Sequence, residues 1–596
     1  LNEKPDLNLA VIGNCQIAAL IDTSGSIVWA CLPRLDADPV FSALLQPVGE
    51  ADRGAFSIGM EGAAQIRQRY MRNTAVVETL HEGNDATLRI TDFCPRFRSD
   101  GRVYRPAMII RIVEPVIGHP VIRVRVRPTA GYGSTTPRVS FTSHSMRFLG
   151  EELALRMTTD GSLSAIHEER PFVLSTPLTF ILADDETIRE APAPFARRAL
   201  EQTRSYWQDW VRGLAIPAEY QQEVIRAAIT LQLCSFEDSG AVVAALTTSI
   251  PEAPDSIRTW DYRFCWLRDS YFTVHALNRL GVTRTMQDYL HFIHNTQVRA
   301  PADELQPLYG ISGESQLVET TVPWLQGYRG TGPVRIGNQA FEQRQHDVYG
   351  AVILAASQLF YDERLEVADY ERLFTGLERL GERCVTVFGT PDAGPWELRG
   401  AEFVHTFSAV MCWAGCERLA CIAARVGKNQ AQARWQEQAD LMHQRIIEEA
   451  WNAQLASFVA TFGGTTLDAT ALLFAELGFV AAADERFIST VNAISKHLRY
   501  GELLFRYRDP DDFGIPTSTF TVCAFWYVNA LAAVGRLDEA RELFAKLLGR
   551  RNHVGLMSED VDPKSGELWG NFPQTYSMVG IIVSAMRLSR AWEDVI

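Results

Sequence analysis

The feature that most restricts this chain is a change in the period of its apolar residues near position 190. Before it, short apolar runs alternate with polar positions and are interrupted by Gly, Pro, Asn and Asp, as in Gly25-Ser26-Ile27-Val28-Trp29-Ala30 and Val121-Ile122-Arg123-Val124-Arg125-Val126. A period of two sends successive side chains to opposite faces of a strand, so residues 1–193 read as antiparallel strands forming a large β-sandwich. From Pro194 to Leu214 the spacing becomes helical, with Phe195, Leu200, Tyr206, Trp207 and Trp210 as its large apolar residues, and a linker helix is predicted over 194–214.

Residues 215–596 are almost wholly helical in pattern. Amphipathic segments begin near Glu219, Arg268, Arg284, His346, Val367, Thr406, Gln430, Asp468, Asp484, Thr519, Leu537 and Gln574. Helices joined alternately by long and short connections predict an (α/α)6 barrel; an open solenoid is the alternative, but no fixed-period repeat accompanies it. The long connections, 251–267, 300–345, 388–403, 452–466, 499–517 and 552–573, all run from odd to even helices, whereas Gly281-Val282-Thr283 and Gly535-Arg536 typify the short ones. In a toroid of helix pairs the long connections meet at one mouth, where a rigid scaffold carries binding and catalysis on its loops.

Composition narrows the ligand class. A net charge of −15 argues against nucleic acid and anionic membrane as partners, because the overall field repels both. The ten Cys sit mostly in apolar runs and read as reduced, buried thiols. Cys412, Cys416 and Cys421 recur near helical spacing, but no His or further Cys beside them completes a zinc tetrahedron. No basic-then-apolar leader is present and no apolar run is read as long enough to span a bilayer, so a cytoplasmic protein is expected, with a leader removed before Leu1 left open. Homo-oligomerisation is also left open.

The stretch Trp260-Asp261-Tyr262-Arg263-Phe264-Cys265-Trp266-Leu267-Arg268-Asp269 packs four charges and four aromatic rings into ten residues. Pyranose C–H faces stack on rings while hydroxyls need fixed donors and acceptors, so a carbohydrate pocket fits this mixture; a buried ion pair under a turn is the structural alternative. Hydrolysing an acetal needs one carboxylic acid to protonate the leaving oxygen and a second carboxylate on the opposite face of the sugar. The long loops offer Glu397, within Pro391-Asp392-Ala393-Gly394-Pro395-Trp396-Glu397-Leu398-Arg399-Gly400, and Glu559, within Gly555-Leu556-Met557-Ser558-Glu559-Asp560-Val561-Asp562-Pro563. Trp396 beside Glu397 would desolvate the acid, and Asp560 and Asp562 beside Glu559 would hinder its ionisation unless Arg268 or Arg506 compensates.

With these motifs in this order the chain resembles glycoside hydrolase family 15, the glucoamylases and bacterial trehalases. Ser558-Glu559-Asp560-Val561-Asp562-Pro563-Lys564-Ser565-Gly566-Glu567, Leu568-Trp569-Gly570-Asn571-Phe572-Pro573-Gln574, Gly327-Tyr328-Arg329-Gly330 and Ile12-Gly13-Asn14-Cys15 extend the likeness nearly end to end. The resemblance implies a β-sandwich, an (α/α)6 catalytic barrel and inversion, with Glu397 as general acid and Glu559 as general base. It implies that Arg268 and Asp269 grip the outer hydroxyls of the non-reducing-end glucose, that Arg506 helps to hold it, and that no metal or organic cofactor is needed. Trp260, Arg399, Tyr309, Trp324, Trp396 and Trp569 complete the expected substrate-binding set. Departures from the bacterial pattern at Ala401-Glu402-Phe403-Val404-His405, Thr517-Ser518-Thr519-Phe520 and Met578 bear on the leaving-group side.

The leading expectation is an inverting exo-α-glucosidase of glucoamylase type acting on short oligosaccharides. The alternatives are a trehalase, a non-catalytic carbohydrate-binding protein on the same scaffold, and a polysaccharide lyase. The β-domain is expected to buttress the barrel and to lend a loop around Arg34 and Asp36 to the pocket rim.

Overall fold

The described residues up to Asp184 form two large antiparallel sheets packed face to face, with Phe97–Ser99 and Arg102–Tyr104 pairing as a separate two-stranded ribbon. In the first, Ala10–Gly13, Ala18–Ile21, Ile27–Cys31, Ala55–Met60, Val121–Arg127 and Phe172–Val173 lie side by side, with Pro39–Phe41 joined to Ile27–Cys31. In the second the order is Arg138–Phe141, Ser145–Leu149, Ala154–Thr159, Leu178–Asp184, Met108–Ile117, Thr87–Phe93, Val77–Gly83 and Ala63–Tyr70. The alternation seen in sequence is used directly: Ile122 and Val124 point inward while Arg123 and Arg125 are only partly covered. Ile12, Phe56, Ile90, Val113 and Phe180 fill the space between the sheets. Arg111 is fully buried there, donating to Asp92 on its own sheet at 2.7 Å and to the Phe56 carbonyl on the other at 2.7 Å, so its charge is paired rather than stranded. This account describes a computed structural model covering residues 5–46, 53–299, 304–365 and 369–595.

The helix Pro192–Arg212 belongs to two cores. Its first half puts Ala196 and Ala199 against Phe93, Ile110 and Ile181 of the second sheet; its second half puts Trp207 and Val211 into the barrel.

Among the described residues the C-terminal part is an (α/α)6 toroid. The inner ring is Leu267–Arg279, Asp347–Ser357, Thr406–Arg425, the 3-10 turn Ala469–Leu473, Thr521–Ala533 and Thr575–Leu588. The outer ring is Thr283–Arg299, Tyr370–Val387, Asn429–Ala450, Glu485–Leu498, Leu537–Leu548 and Gln221–Leu233. The two rings differ in pattern for a physical reason. Inner helices are enclosed all round, so residues 521–531 are all buried, whereas Tyr370–Val387 buries only Phe374, Leu377, Leu380, Gly381 and Cys384, one stripe at helical spacing.

Two expectations are corrected, and a third falls outside the described residues. The segment near Asp468 is a 3-10 turn rather than an amphipathic helix: the Asp468 carboxylate accepts from the Thr470 backbone amide at 2.7 Å, and the turn ends at Leu473 with Phe474 as its cap. The start near Val367 lies outside the described residues; the described helix begins at Tyr370, capped by Asp369 accepting from the Arg372 amide at 2.9 Å. Thr406–Arg425, with mean hydropathy 1.3, is long and apolar enough to cross a membrane, and it is buried as an inner helix of the barrel.

Candidate active site

The run from Trp260 to Trp266 is extended where it crosses the mouth of the barrel, so its side chains divide by parity. Trp260, Tyr262 and Trp266 face a cavity over the inner helices. Asp261 and Arg263 point the other way as a buried pair at 2.7 Å, and Arg263 also donates to the Ala37 carbonyl and the Tyr132 hydroxyl of the β-domain, both at 2.8 Å. The motif therefore has two faces, a ring-lined cavity wall and a structural ion pair. The helix Leu267–Arg279 then begins, and its first turn sets Arg268 and Asp269 into the cavity floor beside Tyr576.

Glu397 reaches the cavity from the loop 388–403. Its Oε1 accepts from Trp266 Nε1 at 2.5 Å, from Gln345 Nε2 at 3.3 Å and from Arg268 Nη2 at 3.4 Å. The residue sits at φ +61°, a left-handed conformation that costs a glutamate about 1–3 kcal/mol and is found where a site over-determines its backbone. The preceding Trp396 donates to Asp468 Oδ2 at 2.6 Å, with its ring against Phe520, Trp526 and Tyr507.

Glu559 lies deeper, fully buried behind Tyr262. The Tyr262 hydroxyl donates to its Oε1 at 2.6 Å and the Asn571 amide to its Oε2 at 3.4 Å. Gly570, at φ +74°, makes this fit possible: a β-carbon there would stand 2.7 Å from the Glu559 Cβ. Burial pushes the Glu559 carboxyl up to about 8; the Glu252 charge adds to this, while the Tyr262 hydrogen bond and Arg506 oppose it. Glu252 bridges two cavity residues, accepting from Trp260 Nε1 at 2.9 Å and from Arg506 Nη2 at 2.7 Å. Tyr262 and Trp266, the rings holding the two carboxylates, are edge to face with centroids 5.3 Å apart, so Glu559 and Glu397 are anchored on one aromatic wall.

On the floor, Arg268 donates to Gln345 at 2.9 Å and pairs with Asp347 at 3.3 Å. Asp269 is pushed up to about 7 by burial, against the opposing pull of Arg268. Among the described residues its buried Oδ1 has no hydrogen-bond donor, and its charge partner there is Arg268 Nε at 3.5 Å. At the mouth, Arg399 pairs with Glu319 at 2.7 Å and lies 4.5 Å over the Trp260 ring, a cation–π contact.

The cavity gathers residues from the connections 251–267, 300–345, 388–403 and 499–517, while 552–573 supplies Glu559 beneath Tyr262 and 452–466 lines none of it. Residues 300–303 of the second connection lie outside the described residues. Of the expected binding residues, Arg268, Asp269, Trp260, Trp396, Arg399 and Arg506 line the cavity. Tyr309, Trp324 and Trp569 do not. Tyr309 faces a neighbouring hollow and its hydroxyl accepts from the Gln306 amide at 3.0 Å. Trp324 is 52% exposed and donates to the Tyr132 carbonyl at 3.1 Å. Trp569 is buried edge-on to Tyr328, with centroids 5.5 Å apart. Arg34 pairs with Asp36 at 2.7 Å and reaches Ser312 at 2.8 Å, so this β-domain loop braces the connection 300–345 and does not line the cavity. Sequence reasoning missed Tyr262 and Trp266 as site residues, although their parity with Trp260 marked them. It also missed Glu252, Asp468 and Tyr576, for which no local pattern gave a signal.

The profile described as glycosyl hydrolases family 15 matches residues 218–586, and a trehalase-like N-terminal profile matches residues 4–175. The chain belongs to glycosyl hydrolases family 15. This family 15 glycoside hydrolase is 31% identical to a trehalase of Thermoplasma volcanium, covering 97% of this chain and 93% of that protein. It is also 31% identical to a trehalase of Mycobacterium tuberculosis, covering 99% and 90% respectively. A bacterial glucoamylase complexed with acarbose superposes with a TM-score of 0.65 at 11% identity, over 98% of this chain and 94% of that one, which supports the shared fold.

Proposed function

We propose that this hydrolase is an inverting trehalase, cleaving α,α-trehalose into two glucose molecules. Glu397 protonates the glycosidic oxygen, and Glu559 takes a proton from the water that attacks the anomeric carbon from the opposite face. The motifs by themselves favoured a glucoamylase-type exo-glucosidase and kept trehalose as the alternative. The observation that carries the trehalase reading is the likeness of the whole chain, β-domain included, to proteins named as trehalases.

The geometry fits a two-sugar substrate. One glucose sits on the floor against Arg268, Asp269 and Tyr576, with its hydroxyls bonded to charged groups already paired and aimed. The leaving glucose sits toward the mouth, beside Trp260 and Arg399. Arg506 is held by Glu252 on the side of the cavity where Glu559 lies. No step in this chemistry calls for a metal or an organic cofactor.

An NMR time course on trehalose, maltose, isomaltose, kojibiose and nigerose tests the reading. Trehalose is expected to disappear fastest, giving equal α- and β-glucose in the first turnovers, since inversion at one ring leaves the other anomer unchanged. Initial α-glucose alone would overturn inversion; faster loss of another disaccharide would overturn the trehalose assignment.

A further inference from the structure

The segment Asp511–Gly514 forms a tight turn at the cavity mouth, closed by hydrogen bonds from the Asp511 amide to the Gly514 carbonyl at 3.2 Å and from the Gly514 amide to the Asp511 carbonyl at 3.0 Å. It is fastened from three directions. Arg258 donates to Asp511 Oδ2 at 2.7 Å and to the Gly514 carbonyl at 2.8 Å, and Tyr507 donates to the same carboxylate at 2.5 Å. The Arg258–Asp511 pair is nearly dry, with side chains 8% and 5% exposed, so this turn is anchored in the cavity wall. Across the mouth, the Asp512 carboxylate accepts from the backbone amides of Arg399 and Gly400, the latter at 2.9 Å. Gly400 has no room for a β-carbon against that carboxylate. Phe513 packs edge-on to Trp260 with centroids 5.2 Å apart, and the guanidinium groups of Arg258 and Arg399 lie 5.4 and 5.9 Å from its ring.

These contacts join the loop carrying Trp260, the loop carrying Glu397 and the loop carrying Arg506 directly over the cavity. The floor is charged and closed by Arg268, Asp269 and Tyr576, so a substrate chain can lengthen only toward the mouth, on the leaving-group side of Glu397. There Asp511, Asp512 and Phe513 of the turn line the cavity. We infer that the turn Asp511–Gly514, through Asp512 and Phe513, is a specificity determinant that limits the leaving group to a single hexose. The inference rests on the assignment of Glu397 as the acid, but not on which disaccharide is preferred.

The test compares kcat/KM for maltotriose with that for whichever disaccharide the wild type cleaves fastest, in wild type, Asp512→Ala, Asp512→Asn and Phe513→Ala, with Tm recorded for each. The wild type is expected to discriminate against the trisaccharide. Asp512→Ala and Phe513→Ala should each raise the trisaccharide-to-disaccharide ratio by roughly tenfold or more, the scale at which a pocket separates substrates of different size. Asp512→Asn, which keeps an acceptor for the Gly400 amide, should retain the wild-type ratio. A ratio that rises less than this in both alanine variants, or parallel losses on both substrates, would overturn the inference. So would a wild type that cleaves both equally. Should Asp512→Ala fold poorly, Phe513→Ala decides, since it leaves the Asp512 hydrogen bonds in place. A wild type that prefers maltose to trehalose would sink the trehalase reading and leave this comparison intact.

Discussion

Glu397 keeps 22% of its side chain open to the cavity on a left-handed loop residue, whereas Glu559 is wholly enclosed beneath Tyr262. The exposed one is surrounded by donors from Trp266, Arg268 and Gln345; the enclosed one has a single strong donor, Tyr262, and a carboxylate neighbour in Glu252. The contrast suits the two proposed tasks. An acid must reach the bridging oxygen of a substrate entering from the mouth. A base gains proton affinity from burial, because desolvation penalises its charged form.

The sharpest way to break this comparison is to neutralise each carboxylate. Glu397→Gln and Glu559→Gln are each expected to lower kcat/KM on trehalose by about 1000-fold, within the range for a lost general acid or base. They should separate on α-glucosyl fluoride, whose leaving group needs no proton: steady-state kinetics should show Glu397→Gln recovering to within about tenfold of wild type, with Glu559→Gln still impaired. Equal recovery of both variants would show that the roles are wrongly divided.

Tyr262→Phe removes the 2.6 Å donor to Glu559 and should cost about 10- to 100-fold in kcat/KM, the scale of a hydrogen bond to a charged group. The pH profile sharpens this prediction. A base must be ionised to act, so activity is lost as pH falls through its pKa. Burial holds Glu559 at about 8, so the acidic limb of kcat/KM should lie well above the ordinary carboxylate range. Tyr262→Phe, by deleting a group that favours the charged form, should move that limb to higher pH.

Glu252→Gln should move the limb the opposite way, since it removes a negative charge that raises Glu559 and frees Arg506 to pair with it. Movement of both limbs in one direction would mean that the limb reports a different group. The smallest effect is expected at Trp324→Ala, where kcat/KM should stay within about twofold of wild type, because the ring is half-exposed and lines no part of the cavity. A large loss there would extend the substrate site beyond the cavity described.

Much of this architecture was legible in sequence because periodicity reports burial. Strict alternation at Val121–Val126 became the inward pair Ile122 and Val124, and the alternation of long and short connections placed Trp260, Glu397 and Arg506 at one mouth. What stayed illegible was direction. Trp324, Trp396 and Trp569 are all tryptophans on mouth loops, yet only Trp396 faces the cavity; residue type records the wish of a ring to be covered, not what covers it. The 3-10 turn at Ala469–Leu473 was hidden for a similar reason, since Asp468 caps it locally while also accepting from Trp396, 72 residues away.

By itself, then, the sequence determined the two halves of the chain, the order of the mouth loops and the two carboxylates proposed to carry out hydrolysis. Tertiary structure decided which groups control them. Tyr262 meets Glu559 across 297 residues, Arg506 meets Glu252 across 254, and Trp266 meets Glu397 across 131. The physical reason is range. Local spacing governs which face of a helix or strand a side chain takes, whereas the partner across a cavity depends on how six helix pairs close into a ring. Proton affinity in a buried site is set by those distant partners and by the water they exclude.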